Sequence, residues 1–175
     1  MQTSARVVNN MKQSDIKYLI VHHTGGTDAN PLADTSNHTA KDVDAWHKAK
    51  GWDGIGYNWY IEKDGKLVKG REETKAGAHT IGYNNKSIGI CLAGNFDATM
   101  PTQAQIDTLK KLLVEKMTQY NVLKENVVPH RTFAKKTCYG KKLSDDWARN
   151  LVVETKKPLD KDKIAQAITL LQSLL

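Results

Sequence analysis

The stretch HRTFAKKTC carries His130 and Cys138 with seven residues between them, and places Lys136 two positions before the cysteine. Imidazole nitrogen and thiolate sulfur are donors that zinc accepts in a tetrahedron, and a hydrolytic zinc site keeps its fourth position for water. A third donor, His22, stands at the end of the apolar run IKYLIV. Two donors on one segment and a third from a distant strand describe a site assembled by folding. Spacing alone leaves the alternative open: unrelated histidines and a buried structural cysteine.

Other residue types suit the same chemistry. An ammonium beside a metal, here Lys136, can hold a developing oxyanion; the bland alternative is a solvated lysine next to Lys135. Tyr57, after the turn GIG, could donate its hydroxyl to a substrate or position a water, or could simply pack in the core. His79, in GAHT, is either a substrate contact or a surface histidine. His23 points to the opposite face from His22 on a strand, so it packs or supports rather than sharing the metal. Cys91 lies inside an apolar strand and reads as an inert core thiol. Trp46 and Trp147 read as core residues.

These side chains need a scaffold. Ile16 to Val21 form a β-rich run that delivers the histidine pair at its C-terminal end. Thr39 and Asp42 form a weak capping box for a helix with Val43, Trp46 and Ala49 on one face and Gly51 at its end. Tyr57 to Glu62 and Leu67–Val68, joined through Asp64–Gly65, form a hairpin. Ser87 to Gly94 is a strand with Ile88, Ile90 and Leu92 on one face and Cys91 on the other. Thr102, with Gln105 at the capping-box position, opens a helix through Ile106, Leu109, Leu113, Met117 and Tyr120. Val127–Val128 form a short strand whose Pro129 marks an edge. A short helix around Asp145 to Val153 and a last one from Asp160, with Ile164, Ile168, Leu171 and Leu175 aligned, complete the series. The simplest architecture is α/β, a central mixed β-sheet flanked by helices.

The chain has 175 residues, enough for one compact domain, and 39% of them are hydrophobic, so a sizeable core is expected. The expected organisation is a polar lead-in over 1–15, a domain over 16–153 and a C-terminal helix in 154–175 packed on it. A net charge of +7 attracts polyanions without choosing among them. Zinc-finger and P-loop spacings are missing, so no nucleic acid is required. No stretch approaches 18 apolar residues and the N-terminus lacks a signal peptide's apolar run, so the expectations are no membrane span and synthesis in a reducing cytoplasm. Two cysteines make no disulfide scaffold.

Five segments, in order, carry a resemblance: LIVHHT, WHKAKGWDGIGYNWYIEKDG, GREETKAGAHTIGYNNKSIGICLAGNF, PTQAQIDTLKKLL and HRTFAKKTC. Together the chain resembles the type 2 N-acetylmuramoyl-L-alanine amidases, the group that includes phage lysozyme-like amidases and peptidoglycan recognition proteins. The resemblance implies a zinc ion held by His22, His130 and Cys138, with Tyr57 and Lys136 catalytic and His79 on the substrate side. It implies hydrolysis of the amide between N-acetylmuramic acid and L-alanine in bacterial peptidoglycan. The expected context is a phage or prophage endolysin, made in the host cytoplasm, acting on the cell wall as a monomer, with a separate holin or export partner. The alternative is a non-catalytic peptidoglycan-binding or protein-binding module of the same fold. One departure stands out: the family has proline after the cysteine, and this chain has Tyr139, which puts the loop's geometry in question.

Overall fold

The computed structural model describes residues 11–152 together with Thr169, Leu170 and Gln172. Most of the lead-in and, apart from those three residues, the helix expected from Asp160 lie outside the described residues.

Five strands form one sheet in the order β3-β2-β4-β1-β5. They are β1 (Tyr18–His23), β2 (Trp59–Ile61), β3 (Leu67–Lys69), β4 (Ser87–Leu92) and β5 (Val127–Pro129). β2 and β3 are the antiparallel hairpin expected around Asp64–Gly65, while β1 pairs in parallel with β4 and β5, and β4 with β2. The sheet is therefore mixed, as its sequence pattern requires. β1 starts two residues later than the apolar run and continues through His22 and His23, because β4 supplies ladder partners as far as Cys91 and Leu92. β2 begins at Trp59 rather than Tyr57. Before it, Asn58 binds Gly89 through its backbone N–H and its side-chain oxygen. β5 lies at the edge, where Pro129 costs the ladder no interior donor.

Alternation along β4 divides the core. Ile88, Ile90 and Leu92 join Leu19, Val21 and Ile61 under Leu109, Leu112 and Leu113 of α2 (Gln103–Tyr120). Full burial of each of these leucines contributes about 1.5–3 kcal/mol. Cys91 lies in the other cluster, with Tyr60, Ala93 and the α1 residues Ala40 and Val43. Both long helices start as the sequence predicts: Thr39 caps α1 (Ala40–Ala49) and Thr102 caps α2, each with a reciprocal capping box through Asp42 or Gln105.

The reading of Trp46 as a core residue needs correction. Trp46 is 44% exposed and packs edge-on against His38, because α1 buries only the side bearing Ala40 and Val43. The buried face of α2 includes Lys116, whose ammonium lies 3.1 Å from a Glu73 oxygen and over the Trp59 ring. Glu73 also accepts from the Trp59 indole and the Tyr120 hydroxyl, so this interior charge is paired and satisfied. The helix α3 (Trp147–Asn150) is shorter than the expected Asp145 to Val153, and Trp147 is partly buried against the core.

Candidate metal centre

His22, His130 and Cys138 meet at the C-terminal ends of β1 and β5, their donor atoms all within 4.8 Å of one another. β1 ends in His22 and His23. β5 passes at Pro129 into a short turn that starts with His130. The chain then loops back to set Cys138 Sγ 3.7 Å from His22 Nδ1. Tetrahedral zinc with its usual bond lengths holds a sulfur and a nitrogen about 3.5 Å apart. The Cys138–His22 pair thus fits that ion closely, and His130 completes the donor set within 4.8 Å.

The loop between His130 and Cys138 is tied down by Arg131. Its guanidinium donates to the carbonyls of Thr137, Gly140 and Leu143, and its Nε pairs with Asp145. Tyr139, at the position where the resemblance expects proline, is fully buried. Its hydroxyl donates to the carbonyls of Ser144 and Asp145, and Arg131 lies over its ring. The Cys138–Tyr139 peptide is cis. Asp97 adds a further tie by accepting from the Thr137 hydroxyl and the Lys141 N–H.

His23 faces away, as strand geometry demands. Its Nδ1 accepts the Phe96 N–H, while its own backbone N–H points at Cys138 Sγ, 3.4 Å away. His22 keeps the cleft side, with ring centroids of His130, His79 and Tyr57 at 4.6, 5.0 and 5.1 Å. His79 contacts His22 directly: the His22 Nε2 to His79 Nδ1 distance is 3.1 Å. The Thr80 hydroxyl lies 3.0 Å from that same Nδ1. His79 Nε2 is buried with no partner among the described residues.

The electrostatics favour neutral nitrogen donors. Burial, then the neighbouring histidines and Lys136, holds His22 well below its usual range. Burial and then Lys136 bring His130 down to about 4. Both rings keep a lone pair for a metal at neutral pH. Burial pushes the Cys138 thiol up to about 12 against the pull of the His23 N–H, Lys136 and Arg131. A cation is what reverses that preference, because a coordinating thiol is deprotonated outright. Tyr57 is held as a neutral phenol, chiefly by burial and then by Cys91 and Cys138. Lys136 is solvent-exposed on the metal loop, and its charge acts on all three donors.

Arg131 and Thr80 were not singled out by the sequence, and Tyr139 stood out only as a departure from the family pattern. Arg131 follows a ligand directly, the one signal that could have drawn attention to it. His47 is similar: its Nδ1 accepts the Gly56 N–H, and its ring bridges Trp52 and Tyr57.

A sheet ending in two imidazoles and a thiol, beside a lysine and a phenol, defines a zinc hydrolase of α/β architecture. The N-acetylmuramoyl-L-alanine amidase family model matches residues 12–141, and the chain belongs to that family. An endolysin of Enterobacteria phage T3 is 36% identical over 127 residues, covering 68% of this chain and 81% of that protein. Peptidoglycan-recognition protein SC2 of Drosophila simulans is 33% identical over 129 residues, covering 73% and 70%. Among solved structures, the amidase LysC from Clostridium intestinale aligns with a TM-score of 0.65 at 29% identity, covering 80% of this chain and 87% of its own.

Proposed function

We propose that this chain hydrolyses the amide between the lactyl group of N-acetylmuramic acid and L-alanine of the stem peptide, as a phage or prophage endolysin. The observation that carries the reading is the convergence of His22, His130 and Cys138, with Lys136 on the same loop as the thiol. These three residues would hold the zinc. When bound, zinc supplies Lewis-acid polarisation of a carbonyl and lowers the pKa of water towards neutrality.

The protein's own groups do the rest. The Lys136 ammonium, whose charge acts on all three donors, would stabilise negative charge developing on the amide oxygen, and such a donor is worth about 3–4 kcal/mol of barrier. Tyr57, kept protonated, orients the attacking water or passes a proton as the tetrahedral centre forms and collapses. The clamp of Arg131 and Tyr139 keeps the loop in place, so that little ordering is left for the moment of reaction. A binding module that has lost catalysis would be expected to lack one of these groups, and all are present.

The proposed site of action is the bacterial cell wall, reached by a monomer with help from a separately encoded holin or export partner. No helix among the described residues is long and apolar enough to cross a membrane. The +7 charge favours approach to an anionic wall. The test is digestion of purified peptidoglycan followed by mass analysis. Free stem peptides beginning at L-alanine, with glycan strands intact, support the reading. Cleaved glycans, or no release at all, reject it.

A further inference from the structure

We propose that His79 is a positioning residue for the metal ligand His22, accepting the Nε2–H of that ring so that Nδ1 is turned to the metal. The proposal rests on the zinc reading of the site. Cys138 Sγ lies on the Nδ1 side of His22, 3.7 Å away, so Nδ1 is the donor nitrogen. A neutral imidazole bound through Nδ1 carries its proton on Nε2. That Nε2 meets His79 Nδ1 at 3.1 Å, with the two rings edge-on at 86°. His79 is therefore the acceptor, and its own proton sits on Nε2.

The surroundings are built for this contact. An added Cβ at Gly89 of β4 would lie 2.5 Å from His79 Cδ2 and 2.6 Å from Cγ, closer than side chains tolerate. One at Gly77 would strike the same ring. Gly89 pairs with Ile20, two residues before His22 on the neighbouring strand, so the space its missing side chain leaves is taken by the His79 ring beside the metal ligand. His79 Nδ1 faces His22 and Thr80, and Nε2 is buried. Partners of this kind fix the tautomer and orientation of metal-bound histidines, and their loss typically costs about 10–100-fold in metal affinity.

The test measures Zn2+ affinity of the full chain by competition with a chromogenic chelator, so that activity is not the readout. His79→Ala is expected to weaken binding about 10–100-fold. His79→Asn, whose Oδ1 replaces the Nδ1 acceptor, is expected to restore most of it. Gly89→Ala, which displaces the ring, is expected to mimic His79→Ala without adding to it in the double variant. Wild-type affinity in His79→Ala overturns the proposal, whatever happens to wall cleavage. Equal loss in the Ala and Asn variants overturns the acceptor role. If the wild type itself binds no Zn2+, both this proposal and the zinc reading fall together. An unchanged His79→Ala beside a zinc-binding wild type removes only the positioning role.

Discussion

His22 Nδ1 and Cys138 Sγ stand 3.7 Å apart although they lie 116 positions apart in the chain. The parallel ladder of β1 against β4 and β5 fixes the histidine, and the Arg131 clamp fixes the cysteine. Each partner is held by a different part of the fold, through the protein's own hydrogen bonds.

Cys138→Ser replaces a soft thiolate by a hydroxyl that zinc binds poorly. Zinc affinity should fall by at least ~100-fold, beyond the loss expected for a supporting residue. Chelator competition measures it, and an unchanged affinity would remove Cys138 from the ligand set.

Lys136→Ala should leave zinc content at one ion per chain and slow turnover. A loss of about 3–4 kcal/mol of barrier corresponds to a few-hundredfold fall in kcat. Stem-peptide release timed on purified wall decides it. A normal rate in the alanine variant would free Lys136 of any role.

Arg131→Ala strands the Leu143 carbonyl and takes from the Thr137 and Gly140 carbonyls their side-chain donor, leaving each one backbone N–H. Each unsatisfied acceptor in a partly buried place costs about 1–3 kcal/mol when water cannot reach it. The variant should unfold at clearly lower urea concentration and bind zinc more weakly, because Cys138 sits on the loosened loop. Arg131→Lys should recover little, since one ammonium cannot reach three carbonyls in a planar fan.

Much of this was legible in the sequence. The capping boxes at Thr39 and Thr102, the hairpin turn and the β1 run are local signals, and each produced its element. Residue type made the metal donors candidates, and only the family resemblance assigned them as a set. What escaped depends on three-dimensional neighbours. Lys116 counts as polar in any helical pattern, yet it is 4% exposed because Glu73 comes from a distant loop. Trp46 fits an apolar stripe, yet it stays 44% exposed with its ring edge-on to His38. Tyr139 looked like a departure from the family pattern and is a core residue closing the metal loop. The contact between His79 and His22 needs Gly89, and no spacing rule links the three.

The Glu73–Lys116 pair gives a pH prediction. Burial would raise the Glu73 carboxyl, but hydrogen bonds from Trp59, Tyr120 and Lys116 outweigh it and hold the group below its usual range. A carboxylate depressed in the folded state binds its proton more weakly there than in the unfolded chain. Its stabilisation is therefore complete above the unfolded value of about 4.3 and disappears as pH falls through the folded one. Urea midpoints measured from pH 7 down to 3 should fall more steeply for the wild type than for Glu73→Gln. At pH 7, Lys116→Ala should cost about 3–5 kcal/mol by leaving the carboxylate buried without its partner. Parallel pH curves for wild type and Glu73→Gln would contradict the account.

The most direct measurement is turnover of metal-stripped protein on purified peptidoglycan as zinc is returned in measured equivalents. Release of stem peptides should start near zero, rise linearly and level off at one zinc per chain, with His22→Ala, His130→Ala and Cys138→Ser failing to follow. Full-speed cleavage before any zinc is added, or a plateau that ignores those three substitutions, would contradict it.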